Sequence, residues 1–337
     1  MIKKLSILLF TFALGGLSLA QDTFSIIAAD PSTGEIGSAG ASCVVGVGNQ
    51  GLIDIIAKII PGRGGINSQA YVCIPNVNLN NASIQMANGA SPSEIIDYLM
   101  DNDACGSRNF DPRYRQYGIV DFDGAGNVRT AGFTGSLADG YKEDRQGINY
   151  SIQGNILINK SVIDSMEAKF LRTNGTLADK LMAALQGANF AGADVRCLGN
   201  GTSSTTAYLV VYQPDDPEDN PSIRLNVGEQ PSRVEPIDLL QDLYNDLTVS
   251  VNNSELQEQI KLFPNPAHSF LTLTHSDAIR VASIKVFDLK GALVHSQDIA
   301  QPEATHHKLE VSTFVDGLYL MDILTDRGAV RMKFVKE

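Results

Sequence analysis

TFSIIAADPSTGEIGSAGASCVVGV, residues 23–47, reads as two buried strands, 23–29 and 36–47, joined by the turn DPSTGE. Both runs are short, apolar and rich in Ile and Val, and the segment between them carries Pro, Gly and Asp, the residues that turn a chain. The mature chain is thus expected to open with a hairpin.

Working outward toward the N-terminus, Lys3 and Lys4 precede an apolar run from Leu5 to Leu14, and small residues follow up to Ala20. That is the layout of a secretory signal peptide over residues 1–20, with cleavage expected after Ala20. The run is too short and too Gly-interrupted to span a bilayer, so an exported chain is expected. The remainder exceeds a typical single domain, and roughly two domains with separate cores are expected.

Toward the C-terminus, residues 66–74 read as a further strand. SPSEIIDYLMDND reads as a helix with Ser91 as N-cap, Pro92 in its first turn and Glu94 closing a capping box. RQYGIVDFDGAGNVRTAGFTG reads as two strands around a tight turn, followed by a strand through YSIQGNIL and helices near 160–172 and 176–187. Strands return at SSTTAYLVVYQ and PSIRLNV, and a helix starting at Pro236 carries Ile237, Leu240, Leu243, Tyr244 and Leu247 on one face. Runs of strands alternating with runs of helices suggest an α+β domain of stacked layers over residues 21–249. The polar stretch 250–259 suits a linker, and the short strands of 260–337 predict a small all-β sandwich.

Charge and residue usage divide at the same place. Residues 21–258 hold 15 Lys and Arg against 29 Asp and Glu, whereas 259–337 hold 9 of each. The acidic excess disfavours nucleic acid as a partner. All five His (His268, His275, His295, His306, His307) follow residue 260, and all four Cys (Cys43, Cys73, Cys105, Cys197) precede it. Without imidazole, the larger domain cannot run Ser-His-Asp, Cys-His or His-zinc chemistry. Structural disulfides are expected of an exported chain, with the pairing left open.

GVGNQG at 46–51 has the spacing of a dinucleotide loop, but no Asp or Glu occurs between Asp54 and Glu94 to hold a ribose. A loop needing unusual backbone angles is the better reading. DFDGAGN at 121–127 imitates the start of a calcium loop, yet Ala125 and Gly132 stand where oxygen ligands belong, so a hairpin turn is expected. PDDPEDNP at 214–221 reads as a solvated acidic loop. What remains for a domain without His is a terminal Thr, Ser or Cys that uses its own α-amino group as base, since that amine titrates near about 7.7 to 8.0.

DTFSIIAADPSTGEIGSAGAS, GGINSQAYV, RQYGIVDFDGAGNV, FTG, YSIQGNIL and GADVRCLGNGTSSTTAYLVV, in this order, resemble the family catalogued as domain of unknown function 1028, grouped with the N-terminal-nucleophile (Ntn) hydrolases. The resemblance covers about residues 22–249 and implies a four-layer αββα sandwich, hydrolysis of an amide in a small or peptide-like substrate, and no metal or organic cofactor. It places Thr23 at the position of the family's leading Thr. Ser42, Gln69, Gln153, Asn155, Asp194 and Arg196 match other recurrent positions. The implied roles are Asn155 as oxyanion donor and Asp194 with Arg196 as a charge pair orienting the site or substrate. Gln153 and Asn155 could equally satisfy buried backbone groups. One departure bears on activity: cleavage after Ala20 leaves Gln21-Asp22 ahead of Thr23, so an active Thr23 requires a second trimming step. The rival expectation is a non-catalytic surface or binding module on the same fold.

LFPNPAHSFLTL, IKVFDLKGALVHSQ, VSTFVDGLYLMDI and MKFVKE resemble the type A sorting domain of the type IX secretion system, over about 260–337. That implies passage through the periplasm, engagement of the type IX machinery, and release or attachment at the outer-membrane surface. The five His are then expected to be incidental surface residues, with His306-His307 lacking a third metal ligand. Substrate identity and oligomeric state stay open.

Overall fold

A computed structural model describes residues 23–289, 292–299 and 304–337, with the backbone alone of 248–255. The signal peptide read over residues 1–20 lies outside the described residues. The chain divides into two compact units, which meet in sequence at Asp242 and Leu243.

In the first unit, β1 (Thr23–Ala29) and β2 (Ile36–Ser42) form the opening hairpin, with Thr23 opposite Ser42 and Ala29 opposite Ile36. Every residue of both strands is buried, which is why neither shows an outward polar face. The second strand stops short of the 36–47 expected because Cys43 leaves the sheet in a disulfide with Cys197. The GVGNQG segment that follows is a short 3-10 turn in which Gly46, Gly48 and Gly51 all have positive φ. Then come α1 (Ile53–Ile56), β3 (Ala57–Ile60) and β4 (Gly64–Gln69). The strand expected at 66–74 ends at Gln69, since Ala70 and Tyr71 turn into the left-handed region and Cys73 is tied to Cys105.

Two helices follow, α2 (Val77–Ala87) and α3 (Pro92–Asp101). The capping box of α3 is present: the Ser91 side chain accepts from the Glu94 backbone nitrogen, and Glu94 accepts in return from the Ser91 nitrogen. Such a cap is worth about 1 kcal/mol. The chain continues through β5 (Gln116–Phe122), β6 (Val128–Thr134), β7 (Tyr141–Gln146), β8 (Tyr150–Leu157), α4 (Ser161–Arg172), α5 (Leu177–Gly187), β9 (Thr206–Tyr212) and β10 (Ile223–Val227), and α6 (Pro236–Gln259) begins. The polar stretch 250–259, expected as a linker, is helical in continuation of α6.

A six-stranded antiparallel sheet, β10-β9-β2-β1-β8-β7, faces a four-stranded antiparallel sheet, β3-β4-β5-β6. α5 lies against β1, β2 and β9 and α4 against β8, on the outer face of the larger sheet; α2 and α3 cover the smaller one. Since β1 also packs on β4 and β5 across the gap, the layers run helix, sheet, sheet, helix. Leu177, Leu181 and Leu185, spaced along one face of α5, are all buried, each contributing roughly 1.5–3 kcal/mol.

In the second unit, β11 (Ile260–Phe263), β12 (Phe270–His275) and β15 (His306–Glu310) form one sheet. β13 (Val281–Phe287), β14 (Leu293–Asp298), β16 (Gly317–Thr325) and β17 (Gly328–Lys336) form the other. Leu271, Leu273, Ile284, Val286, Met321 and Phe334 fill the space between them. The two ends of this unit are stitched together: Ala267 donates to the Val335 carbonyl at 2.8 Å, Val335 donates to Asn265 Oδ1 at 2.9 Å, and Glu337 donates to the Ala267 carbonyl at 2.9 Å.

Two of the five His depart from the expectation of surface residues. His275 and His307 are 8% and 7% exposed, stacked, with their Nε2 atoms 3.2 Å apart. They are on inward positions of β12 and β15, which alternate with exposed ones. Burial, then the neighbouring His275, holds the His307 pKa below its ordinary 6.5. The unfolded chain therefore takes up the proton first, so the part of this unit's stability linked to His307 is fully present above about 6.5 and is lost as pH falls below it. The unfolding transition of the tail in the full chain is expected to move to lower temperature between pH 7 and pH 5, and less so in His307→Leu. A transition independent of pH in this range would contradict that.

Candidate active site

The space between the two sheets of the first unit is apolar at one end, around Ile27, Ile36 and Val120, and polar at the other. At the polar end Ser25 Oγ donates to Gln69 Oε1 at 2.6 Å and accepts from Gln153 Nε2 at 2.5 Å and Asn67 Nδ2 at 3.1 Å, using the full capacity of a hydroxyl. Ser38 donates to Asn67 Oδ1 at 2.8 Å and lies 3.0 Å from the Tyr208 hydroxyl. Gln69 Nε2 donates to the Thr23 carbonyl at 2.8 Å and to Gln116 Oε1 at 2.7 Å, and Gln116 Nε2 reaches the Gly154 carbonyl at 2.9 Å. All are fully buried or nearly so, and among the described residues these bonds run to hydroxyls, amides and carbonyls. A buried network of this kind is favourable because every member is satisfied. Glycines make the room: a Cβ at Gly118 would run into Gln153 Oε1, and one at Gly40 would lie 2.8 Å from the Tyr208 ring.

Thr23 stands where this polar layer meets the end of the sandwich. It opens β1, is fully buried, and its backbone nitrogen donates to Asn155 Oδ1 at 3.2 Å. Asn155, also fully buried, comes from the adjacent β8. With its carbonyl oxygen on the Thr23 nitrogen, the donor end of the Asn155 amide is Nδ2. The next residue, Ile156, has φ 52°, a left-handed conformation that a β-branched side chain rarely adopts. Such residues cost about 1–3 kcal/mol each and gather where a site demands them. Ala70 and Tyr71, with φ 60° and 49°, follow Gln69 directly, so left-handed backbone adjoins both side chains that grip Thr23.

Beside this lies the Asp194 pair. Asp194 is buried, forms an isolated bridge with Leu157 at the end of β8, and accepts from the Cys43 nitrogen at 3.0 Å. Arg196 Nε and Nη2 grip its two oxygens at 3.0 and 2.6 Å. The Cys43–Cys197 disulfide ties the same two segments.

The residues expected from the sequence thus gather at one end of the sandwich: Thr23 and Ser42 paired across β1 and β2, Asn155 on the Thr23 nitrogen, Gln69 on its carbonyl, and Gln153 one step inward. The amides of Gln69 and Gln153 are spent on buried protein groups, the Thr23 carbonyl, Gln116 and the Ser25 hydroxyl. Asp121, in the segment resembling a calcium loop, is instead gripped by Arg63 and Arg129, both at 2.6 Å, while Asp123 closes the hairpin turn by accepting from Ala125 and Asn127. Ser25, Ser38, Asn67 and Gln116 were not singled out in the sequence; the available signal was small or amide side chains on strands that are otherwise apolar. A groove of about 380 Å³ lined by Asp54, Lys58, Glu218 and Arg224 shares no residue with this constellation.

A family model described as "Family of unknown function (DUF1028)" matches residues 23–237, and one described as "Secretion system C-terminal sorting domain" matches 261–337. Among solved structures, protein SPO2555 from Silicibacter pomeroyi, itself described as DUF1028, is 26% identical with a TM-score of 0.52, over 67% of this chain and 89% of that one. A DUF3244 family protein with an immunoglobulin-like β-sandwich from Bacteroides vulgatus is 23% identical with a TM-score of 0.21, over 23% of this chain and 85% of its own. Latent PorU from Porphyromonas gingivalis is 16% identical with a TM-score of 0.19, over 39% of this chain and 12% of its own. No curated protein matches the chain.

Proposed function

From the premise that the chain belongs to the DUF1028 family and ends in a secretion sorting domain, we propose that its first unit is an Ntn-type amidohydrolase whose nucleophile is Thr23. The sorting domain directs the chain through the type IX machinery to the cell surface or beyond. Among the described residues no helix is long and apolar enough to cross a membrane.

The observation that carries the proposal is the 3.2 Å contact between the Thr23 nitrogen and Asn155 Oδ1. Once the residues ahead of Thr23 are removed, that nitrogen is a primary amine. It can keep a proton on Asn155 Oδ1 and offer its lone pair to the Thr23 hydroxyl, the role of base in a unit that carries no imidazole. Thr23 Oγ1 attacks the amide carbon as its proton passes to the α-amine. The C–N bond breaks, the leaving amine takes that proton, and water then opens the ester and restores the hydroxyl. Asn155 Nδ2 is the proposed donor to the developing oxyanion, while Gln69 and Gln153 hold β1 in place. Asp194 with Arg196 orients the adjoining segment, and Ser42 lines the strand opposite.

The full burial of Thr23, together with Gln21-Asp22 ahead of it, supports a second reading, a non-catalytic surface or binding module. The two separate when chains beginning at Thr23 and at Gln21 are compared on a panel of small amides and peptides. Hydrolysis by the Thr23-first chain alone supports the amidohydrolase. Inactivity of both, with the fold intact, supports the binding module.

A further inference from the structure

A closed circuit of contacts runs around the candidate nucleophile. Gln69 donates to the Thr23 carbonyl; two residues on, the Tyr71 hydroxyl donates to Asp139; the Asp139 carbonyl accepts from Ile156 at 3.0 Å; and Ile156 follows Asn155, which holds the Thr23 nitrogen. Over the Tyr71 side of this circuit stands Arg108. Its guanidinium carbon lies 4.0 Å from the centre of the Tyr71 ring and 5.3 Å from that of Tyr114, and the two rings meet edge to face at 5.5 Å.

Considerable structure serves to present this one cation. Arg108, Asn109 and Phe110 are three successive left-handed residues, with φ of 56°, 57° and 59°. Beneath them the buried Arg115 donates to the carbonyls of Tyr71, Cys105 and Ser107 and pairs with Asp103 at 2.8 Å, while Cys73–Cys105 closes the base of the loop. Runs of left-handed non-glycine residues persist only where surroundings impose them, and they gather at ligand clamps. Arg63, Arg115, Arg129, Arg145 and Arg196 each grip a carboxylate. Among the described residues Arg108 has no carboxylate within ion-pair distance, and the nearby Asp139 is engaged by the Tyr71 hydroxyl. Arg108 is exposed and held by the two aromatic rings and by a side-chain contact to the Tyr71 hydroxyl, in a unit otherwise rich in acidic residues.

We propose that Arg108, seated on Tyr71 and Tyr114, is a substrate-binding residue that grips a carboxylate next to the scissile amide, so that the substrates are N-acyl amino acids or peptides with a free C-terminus. This deepens, and rests on, the assignment of Thr23 as nucleophile. A guanidinium presents a fork of donors to both oxygens of a carboxylate, and stacking fixes its plane beforehand, so less order is lost on binding. Phe110, 56% exposed beside it, offers apolar surface to the residue that bears the carboxylate.

The test measures binding without turnover, by calorimetry on the full secreted chain beginning at residue 23 and carrying Thr23→Ala. The probes are N-acetyl-alanine against its methylamide, and a tripeptide against its C-terminal amide. The free acids are expected to bind about tenfold or more tightly than their uncharged partners, with the acyl amino acid or the peptide identified as the source by which acid binds better. Arg108→Gln should erase the preference, Arg108→Lys should restore part of it, and Tyr114→Leu, which keeps the charge, should weaken it less. Equal binding of acid and amide, no binding of either, or a preference unchanged in Arg108→Gln would overturn the proposal. Binding as expected without turnover in the Thr23 chain would instead sink the nucleophile and leave the carboxylate site standing.

Discussion

Replacing Thr23 by Ala in a chain that begins at residue 23 is expected to remove amide hydrolysis by at least about 10³-fold. Thr23→Ser, which keeps a hydroxyl on the same backbone nitrogen, should retain a measurable share. Loss of the nucleophile leaves whatever binding and oxyanion stabilisation supply, so the residual rate reports Asn155 and its neighbours. Asn155→Ala should itself cost about 10²–10³-fold in kcat. Asn155→Asp sharpens the assignment because it acts on the base. A carboxylate 3.2 Å from the Thr23 nitrogen favours the ammonium and raises the pKa of the amine. The amine serves as base only when neutral, so the rising limb of the pH profile, near about 7.7 to 8.0 for an ordinary α-amine, should move to higher pH. A purely structural Asn155 would lower the rate without moving the profile.

The second large effect concerns delivery. Deletion of residues 260–337 is expected to leave the protein in the periplasm, with essentially none in the medium or on the surface, because residues 261–337 match a secretion sorting domain. Removing only residues 333–337 should have nearly the same result. Val335 and Glu337 bind Asn265 of the FPNP segment and Ala267 just after it, so the last strand holds the first turn of this unit closed. The Lys336 side chain, 8% exposed, pairs with Asp316 at 3.0 Å and ties the last strand to the segment entering β16 as well. Normal secretion of both truncations would refute the role assigned to the tail.

Much of the architecture was legible in the sequence for identifiable physical reasons. β1 and β2 are continuous apolar runs because both faces are covered, and α3 announces itself through Ser91, Pro92 and Glu94. β7 was not legible: YKEDRQ is an edge strand, and charge on an edge strand conceals the alternation that marks interior ones. α2 was missed because Asn78 and Ser83, polar in the sequence, are buried on its inner face, although Asn76 caps it by accepting from Leu79. The candidate site was legible as a set of residues but not as a network. That Gln153 and Gln69 share the Ser25 hydroxyl depends on the register of strands 44 and 128 residues away. Arg108 carries no local signal, since its conformation is imposed by Arg115 and a disulfide. His275 and His307, expected on the surface, are buried because they fall on the inward positions of β12 and β15, alongside Leu271, Leu273 and Leu309.

The amino-terminal peptide of the active protein recovered from the culture medium, read by mass spectrometry and matched to hydrolytic activity in the same fraction, tests the central claim most directly. The account predicts that activity follows chains whose first residue is Thr23 with an unmodified amine. Full activity in chains that begin at Gln21, or whose leading amine is cyclised or blocked, would contradict it.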